Sequence, residues 1–117
     1  MLRRLSLSAL FLIAGCAPAP QPIPTPPLLS TAGLDRVMGK DARALTALFG
    51  EPGLDIREGP ARKLQFACDV CVLDLYLYPP AAGGVPVVTY VDARRPGGED
   101  FDRASCVAAL ARRLQSR

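Results

Sequence analysis

The firmest pattern in the chain is a two-residue alternation through its middle third. Leu64, Phe66 and Cys68 fall on one side and Lys63, Gln65 and Ala67 on the other, which predicts a half-buried strand. A second strand is expected from Cys71 to Tyr78, with Cys71, Leu73, Leu75 and Leu77 facing one way and Val72, Asp74, Tyr76 and Tyr78 the other. Asp69-Val70 between them fits a tight hairpin, although Val suits the positive φ of such turns poorly and the turn type stays open. Pro79 to Gly84 reads as a looser loop. Val85 to Asp92 makes a third strand, in which strict alternation sets Val88 and Tyr90 opposite to Val87, Thr89 and Val91.

On either side of these strands the apolar spacing becomes helical. Ser30 or Thr31 is expected to cap a short helix through Val37, with Gly39 as its stop. Asp41 is the N-cap of a second helix whose apolar stripe is Leu45, Leu48 and Phe49, and Gly50 and Pro52 end it. Glu51 to Pro60 reads as turn. Phe101 to Leu114 is a last helix, with Cys106, Val107, Leu110 and Leu114 at helical spacing. The fold class that follows is α+β: a two-layer sandwich with two N-terminal helices and a C-terminal helix on one face of a three-stranded antiparallel sheet, built by a single domain spanning 30–117.

The first 29 residues follow another logic. Arg3-Arg4 precedes an apolar run from Leu5 to Ala14 that is too short to span a bilayer, so 1–15 reads as a signal peptide. It ends in Leu12-Ile13-Ala14-Gly15-Cys16, the order of a bacterial lipobox, which makes Cys16 the lipidation site and the membrane, reached through that lipid, a partner. Residues 16–29 hold half of all the prolines and are expected to form an extended tether of about 40 Å. Export places the domain in an oxidising compartment, and Ala17 after the cysteine, in place of Asp, resembles the enterobacterial sorting pattern, which implies the periplasmic face of the outer membrane.

Charge and composition then exclude several functions. The formal charge is +3, and without Arg3 and Arg4 the balance is 12 basic against 11 acidic residues, which argues against nucleic acid as a partner. The chain has no histidine, so the commonest general base and metal ligand are both missing. No cofactor, no metal and no enzymatic activity are expected. Asp74 and Asp92 read as solvated charges on the outer sheet face, and Arg94-Arg95 and Arg112-Arg113 as solvated basic pairs.

Three cysteines remain after Cys16. Cys71 shares a face with three leucines and Cys106 lies on the apolar face of the last helix, so a disulfide between Cys71 and Cys106 is expected across the sheet–helix layer. Cys68 is left over, buried or open to pairing with another chain. Cys68-Asp69-Val70-Cys71 is formally a CxxC, yet it sits between strands and not at a helix N-terminus, where a dipole would lower the thiol pKa. Three thiols without a histidine also leave a zinc tetrahedron incomplete. Tyr76, Tyr78 and Tyr90 gather on the face without helices, a composition suited to partner binding, with cover by the tether or cross-strand packing as the other explanation.

Gly39-Lys40 before a helix, Leu45, Leu48-Phe49-Gly50-Glu51-Pro52, Leu64-Gln65-Phe66 and Cys71-Val72-Leu73-Asp74 together resemble the SmpA/OmlA group of small outer-membrane lipoproteins, the BamE-like fold. The resemblance runs from about Gly39 to Asp92. It implies two helices on a three-stranded sheet and a scaffold role beside the outer-membrane assembly machinery. Leu64 and Phe66 depart from a Trp-x-Tyr pair of that group, and the cysteine-bearing last helix is an addition. The expected function is therefore a non-catalytic, lipid-anchored envelope protein that works by contact with an envelope protein partner in outer-membrane assembly or integrity. An inhibitor-like or ligand-binding periplasmic module is the alternative, and a thiol-disulfide protein using Cys68 and Cys71 the third reading.

Overall fold

A computed structural model describes residues 15–20, 31–81 and 83–115. The expected signal peptide lies outside the described residues up to position 14, and so do positions 21–29 of the expected tether and the capping candidate Ser30. The described domain has the order α1 (Ala42–Phe49), β1 (Leu54–Glu58), β2 (Ala61–Ala67), β3 (Val72–Tyr78), β4 (Val87–Arg94) and α2 (Arg103–Gln115). The four strands form one antiparallel meander in the order β1-β2-β3-β4, and the α+β class holds.

Two elements differ from expectation. The sheet has four strands, not three, because Leu54–Glu58 forms a strand where a turn was expected. Every residue of β1 is exposed, so burial does not hold it in place; main-chain pairing with β2 does, from Leu54 opposite Gln65 to Glu58 opposite Ala61. Two apolar residues among three charges gave the segment little strand character. The second difference is the expected helix through Val37, which is a run of turns. Gly33 takes φ 76°, a left-handed conformation that interrupts any helix begun at Thr31. A Cβ there would also lie 2.7 Å from the Ala104 Cβ, so this glycine lets the turn approach α2. The apolar residues still do their expected work, since Leu34 and Val37 are fully buried.

α1 begins and ends as its sequence indicates. Asp41 accepts a hydrogen bond from the Ala44 N–H at 2.9 Å, and Gly50, at φ 87°, closes the helix by donating to the Thr46 carbonyl. α2 is capped by Asp102, whose carboxylate accepts from the Ser105 N–H at 2.8 Å and its hydroxyl at 2.6 Å. One core lies between the helices and the sheet, made by Leu34, Val37, Leu45 and Phe49 against Leu64, Phe66, Leu73, Leu75 and Leu77, closed by Val107 and Leu110 of α2. Phe49 and Phe66 meet at its centre with ring centroids 5.0 Å apart.

The expected disulfide is present. Cys71, just before β3, is bonded to Cys106 on α2, with both residues fully buried. Cys68 is a free, half-buried thiol, and its N–H donates to the Cys71 carbonyl to close the hairpin turn. Among the described residues none other than glycine has positive φ, so Asp69-Val70 forms neither of the mirror-image turns typical of two-residue hairpins.

β4 contains a bulge that changes which side chains enter the core. The pairing with β3 shifts between Tyr76 and Leu77, so Tyr76 faces Tyr90 while Leu77 faces Val88, and Thr89 is the extra residue. Strict alternation put Val88 on the outer face with Tyr90. The bulge corrects this: Val88 joins Val91 and Ala93 in the core, and Tyr90 stays outside. Thr89 is tied to the kink by its hydroxyl, 3.3 Å from the Tyr76 carbonyl.

Candidate interaction face

The register sets the outer face of the sheet in cross-strand rows. Ile56, Lys63, Tyr76 and Tyr90 make one row, and Leu54, Gln65, Asp74 and Asp92 make the next. Both helices pack on the opposite face, so no described element covers these rows. The three tyrosines expected here do share the face. Tyr76 and Tyr90 contact each other with centroids 5.5 Å apart and rings inclined at 49°, and Tyr78 lies one step along β3. Tyr90 and Tyr78 remain 44% and 43% exposed, and Leu54 and Ile56 add 36% and 38%. The apolar strip thus continues from β3 and β4 onto β1, a strand that the sequence pattern did not reveal.

Beside the tyrosines, in the neighbouring row, lies a charge cluster whose centre was expected to be solvated. Asp74 is only 2% exposed. Its carboxylate accepts a hydrogen bond from Gln65 Nε2 at 2.8 Å and one from Arg94 Nη1 at 2.5 Å, and Lys63 Nζ lies 3.9 Å away. The reading of Asp74 and Arg94 as solvated charges is corrected accordingly: they form an ion pair, and the neighbouring side chains exclude water from the carboxylate. The hydrogen bond to Asp74 raises the Arg94 pKa above its ordinary value. Lys63 also stands over the Tyr76 ring, 5.5 Å from its centroid, so one ammonium serves the carboxylate and the aromatic face together. The sequence offered neither Gln65 nor Lys63 as a partner of Asp74, and it read Arg94, beyond the expected end of the third strand at Asp92, only as part of a solvated pair. Alternation placed Lys63 and Gln65 outside, but a partner for Asp74 depends on strand register, which alternation leaves unspecified.

Arg113 also has a structural task, donating to the carbonyls of Ala67 and Phe49 and so joining α2 to the ends of β2 and α1. The Cys71 thiol is committed to Cys106 and not to Cys68, so the CxxC does not form a pair in this structure. Cys16 is exposed. Among the described residues no three or more potential ligands gather to hold a metal, and no helix is long and apolar enough to cross a membrane.

A recess beside the tyrosines is bounded by Ile56, Lys63, Tyr76 and Tyr78 and has a volume of about 200 Å³. Pockets that enclose a small molecule usually hold about 300 Å³ or more. What the face offers is a broad, amphipathic surface, an aromatic row beside a row of paired charges. No family model matches the chain, and no curated protein or solved structure matches it.

Proposed function

We propose that this chain is a lipid-anchored envelope protein that acts by contact, with the outer sheet face around Tyr76, Tyr78 and Tyr90 as the surface that receives a protein partner. The observation carrying this reading is the uncovered strip itself: two tyrosines in tilted ring contact, a third beside them and two aliphatic side chains of β1, all on the face away from the helices. Tyrosines supply apolar area together with a hydroxyl at little entropic cost, which is why interfaces favour them. The ion pair in the neighbouring row ties β3 to β4 and leaves the Asp74 charge already paired with Arg94 and Lys63, which suits a docking platform better than a reactive site. The anchor and the envelope location rest on the lipobox that ends at Cys16, and the role in outer-membrane assembly rests on the resemblance of Gly39 to Asp92 to the BamE-like lipoproteins.

The test is a crosslinked pull-down from solubilised envelopes, comparing the parent chain with Tyr90→Ala and Tyr78→Ala. Both substitutions should weaken recovery of the partner and leave the melting temperature nearly unchanged, because each side chain is well exposed. A loss of stability with recovery intact would make them packing residues. Cys16→Ser should abolish fatty-acid incorporation and membrane association, and a variant still firmly bound would refute the anchor.

A further inference from the structure

The two edges of the sheet are treated differently. On the β4 side, Gly39 donates to the Val88 carbonyl and Val88 donates to the Lys40 carbonyl, while Arg94 bridges to Asp100, so neighbouring segments occupy that edge. On the β1 side, no described residue pairs with the outer edge. The polarity of that edge follows from the hairpin. A two-residue turn, Gly59-Pro60, makes Glu58 and Ala61 a hydrogen-bonded pair, and the pairing then alternates through Ile56–Lys63 to Leu54–Gln65. The Gln65 carbonyl, which accepts from Gly53 at 2.8 Å, points toward β1 as this requires. The main-chain groups of Asp55 and Arg57 therefore face outward, without a neighbour among the described residues.

Charged side chains on an edge normally oppose its pairing. On β1 their order does the reverse for one partner. If a second copy of the strand lies antiparallel with Ile56 opposite Ile56, then Asp55 stands opposite Arg57 of the second copy, and Arg57 opposite its Asp55. Those are the residues whose N–H and C=O face outward, so each pair would also exchange both main-chain bonds, and the symmetry axis would pass through a non-hydrogen-bonded pair, where side chains approach most closely. Moving the centre by one residue opposes Asp55 to Asp55 or Arg57 to Arg57. Within one chain Arg57 faces Arg62, while Asp55 is held by Arg62 at 2.7 Å, so the second copy's Asp55 would bring Arg57 a carboxylate directly opposite. We infer that β1 is a self-pairing edge, through which two copies of this chain join antiparallel about Ile56 into one continuous sheet.

The pairing lies beside the tyrosine face but does not depend on its having a partner. It is tested in the full chain carrying Cys68→Ser, by mild oxidation of Ile56→Cys, since the two central residues would have Cα atoms about 4.5 Å apart, within disulfide reach. A covalent dimer is expected from Ile56→Cys and not from Val70→Cys, a more exposed site on a different hairpin. Adding Arg57→Asp, which places a carboxylate opposite Arg62 and so favours the single-chain fold, should lower the dimer yield about tenfold, and adding Asp55→Arg to that should restore it. No dimer from Ile56→Cys, equal yields at both cysteine sites, or a yield indifferent to Arg57→Asp would overturn the inference. Crosslinking to a different protein would show that the edge takes a foreign strand, and would overturn self-pairing as well.

Discussion

Replacing both Cys71 and Cys106 by alanine should cost the domain a large share of its stability, and the size of the loss can be worked out beforehand. The bond joins residues 35 apart in sequence. In the chain-entropy description, a closed loop of that length removes about 12.7 cal/mol/K from the unfolded ensemble, or about 4 kcal/mol at 25 °C. Both sulfurs are fully buried between β3 and α2, so alanine also removes packed atoms, while the small size of the change keeps any added void term minor. A domain of this length has a total stability of about 4 to 13 kcal/mol, so the variant should lose about 30% of it or more. Urea unfolding followed by circular dichroism reads this directly: with a slope of about 1 to 2 kcal/mol/M, the midpoint should fall by about 2 to 4 M. Reducing the parent chain should reproduce the shift, and Cys68→Ala should be the mildest cysteine change because that thiol is half-buried and unbonded. A midpoint that moves by less than about 0.5 M, with the bond verified in the parent chain by peptide mapping, would refute the loop-entropy argument.

Asp74→Ala should destabilise by about 1 to 3 kcal/mol, because it strands the Gln65 amide and two cations beside each other; the cost stays below that of a fully buried pair since Arg94 and Lys63 can turn to water. Asp74→Asn should cost less by thermal melting, and a neutral Asp74→Ala would show that the cluster adds nothing to the fold. The acid response follows from two other carboxylates: Asp55, held low chiefly by its hydrogen bond from Arg62, and Asp102, held low chiefly by the Ser105 hydroxyl. Both lie below the ordinary 3.8 when folded, so their stabilisation is complete above that value and is lost as pH falls through the lowered ones. Melting temperature should thus decline below about pH 4, and Asp102→Asn, which keeps a capping side chain, should shrink the decline; with no histidine, no side chain of ordinary pKa adds a step between pH 5 and 8.

Local chemistry was enough for the sequence to determine several parts of this protein. The bounds of α1 follow from a carboxylate before Ala42 and a glycine after Phe49, which act on the nearest few main-chain groups. β2 and β3 follow from alternation, because one side of each is sealed against the helices. Alternation put Cys71 on the inner face and the three tyrosines on the outer one, and helical spacing put Cys106 on the apolar face of the last helix, so the disulfide and the aromatic part of the candidate face were both legible. Tertiary structure decided the rest wherever a residue's state depended on a distant partner. Leu54–Glu58 is a strand because β2 presents an edge to it, although it buries nothing. Val88 enters the core because Thr89 adds a residue opposite Tyr76, a slip of register that no period along the chain encodes. Asp74 is a buried ion-pair member because the sheet brings it beside Gln65, nine positions earlier, and Arg94, twenty later. Periodicity reports which side of an element a residue takes; which neighbours it meets there is set by strand order and register, and these exist only once the sheet has closed.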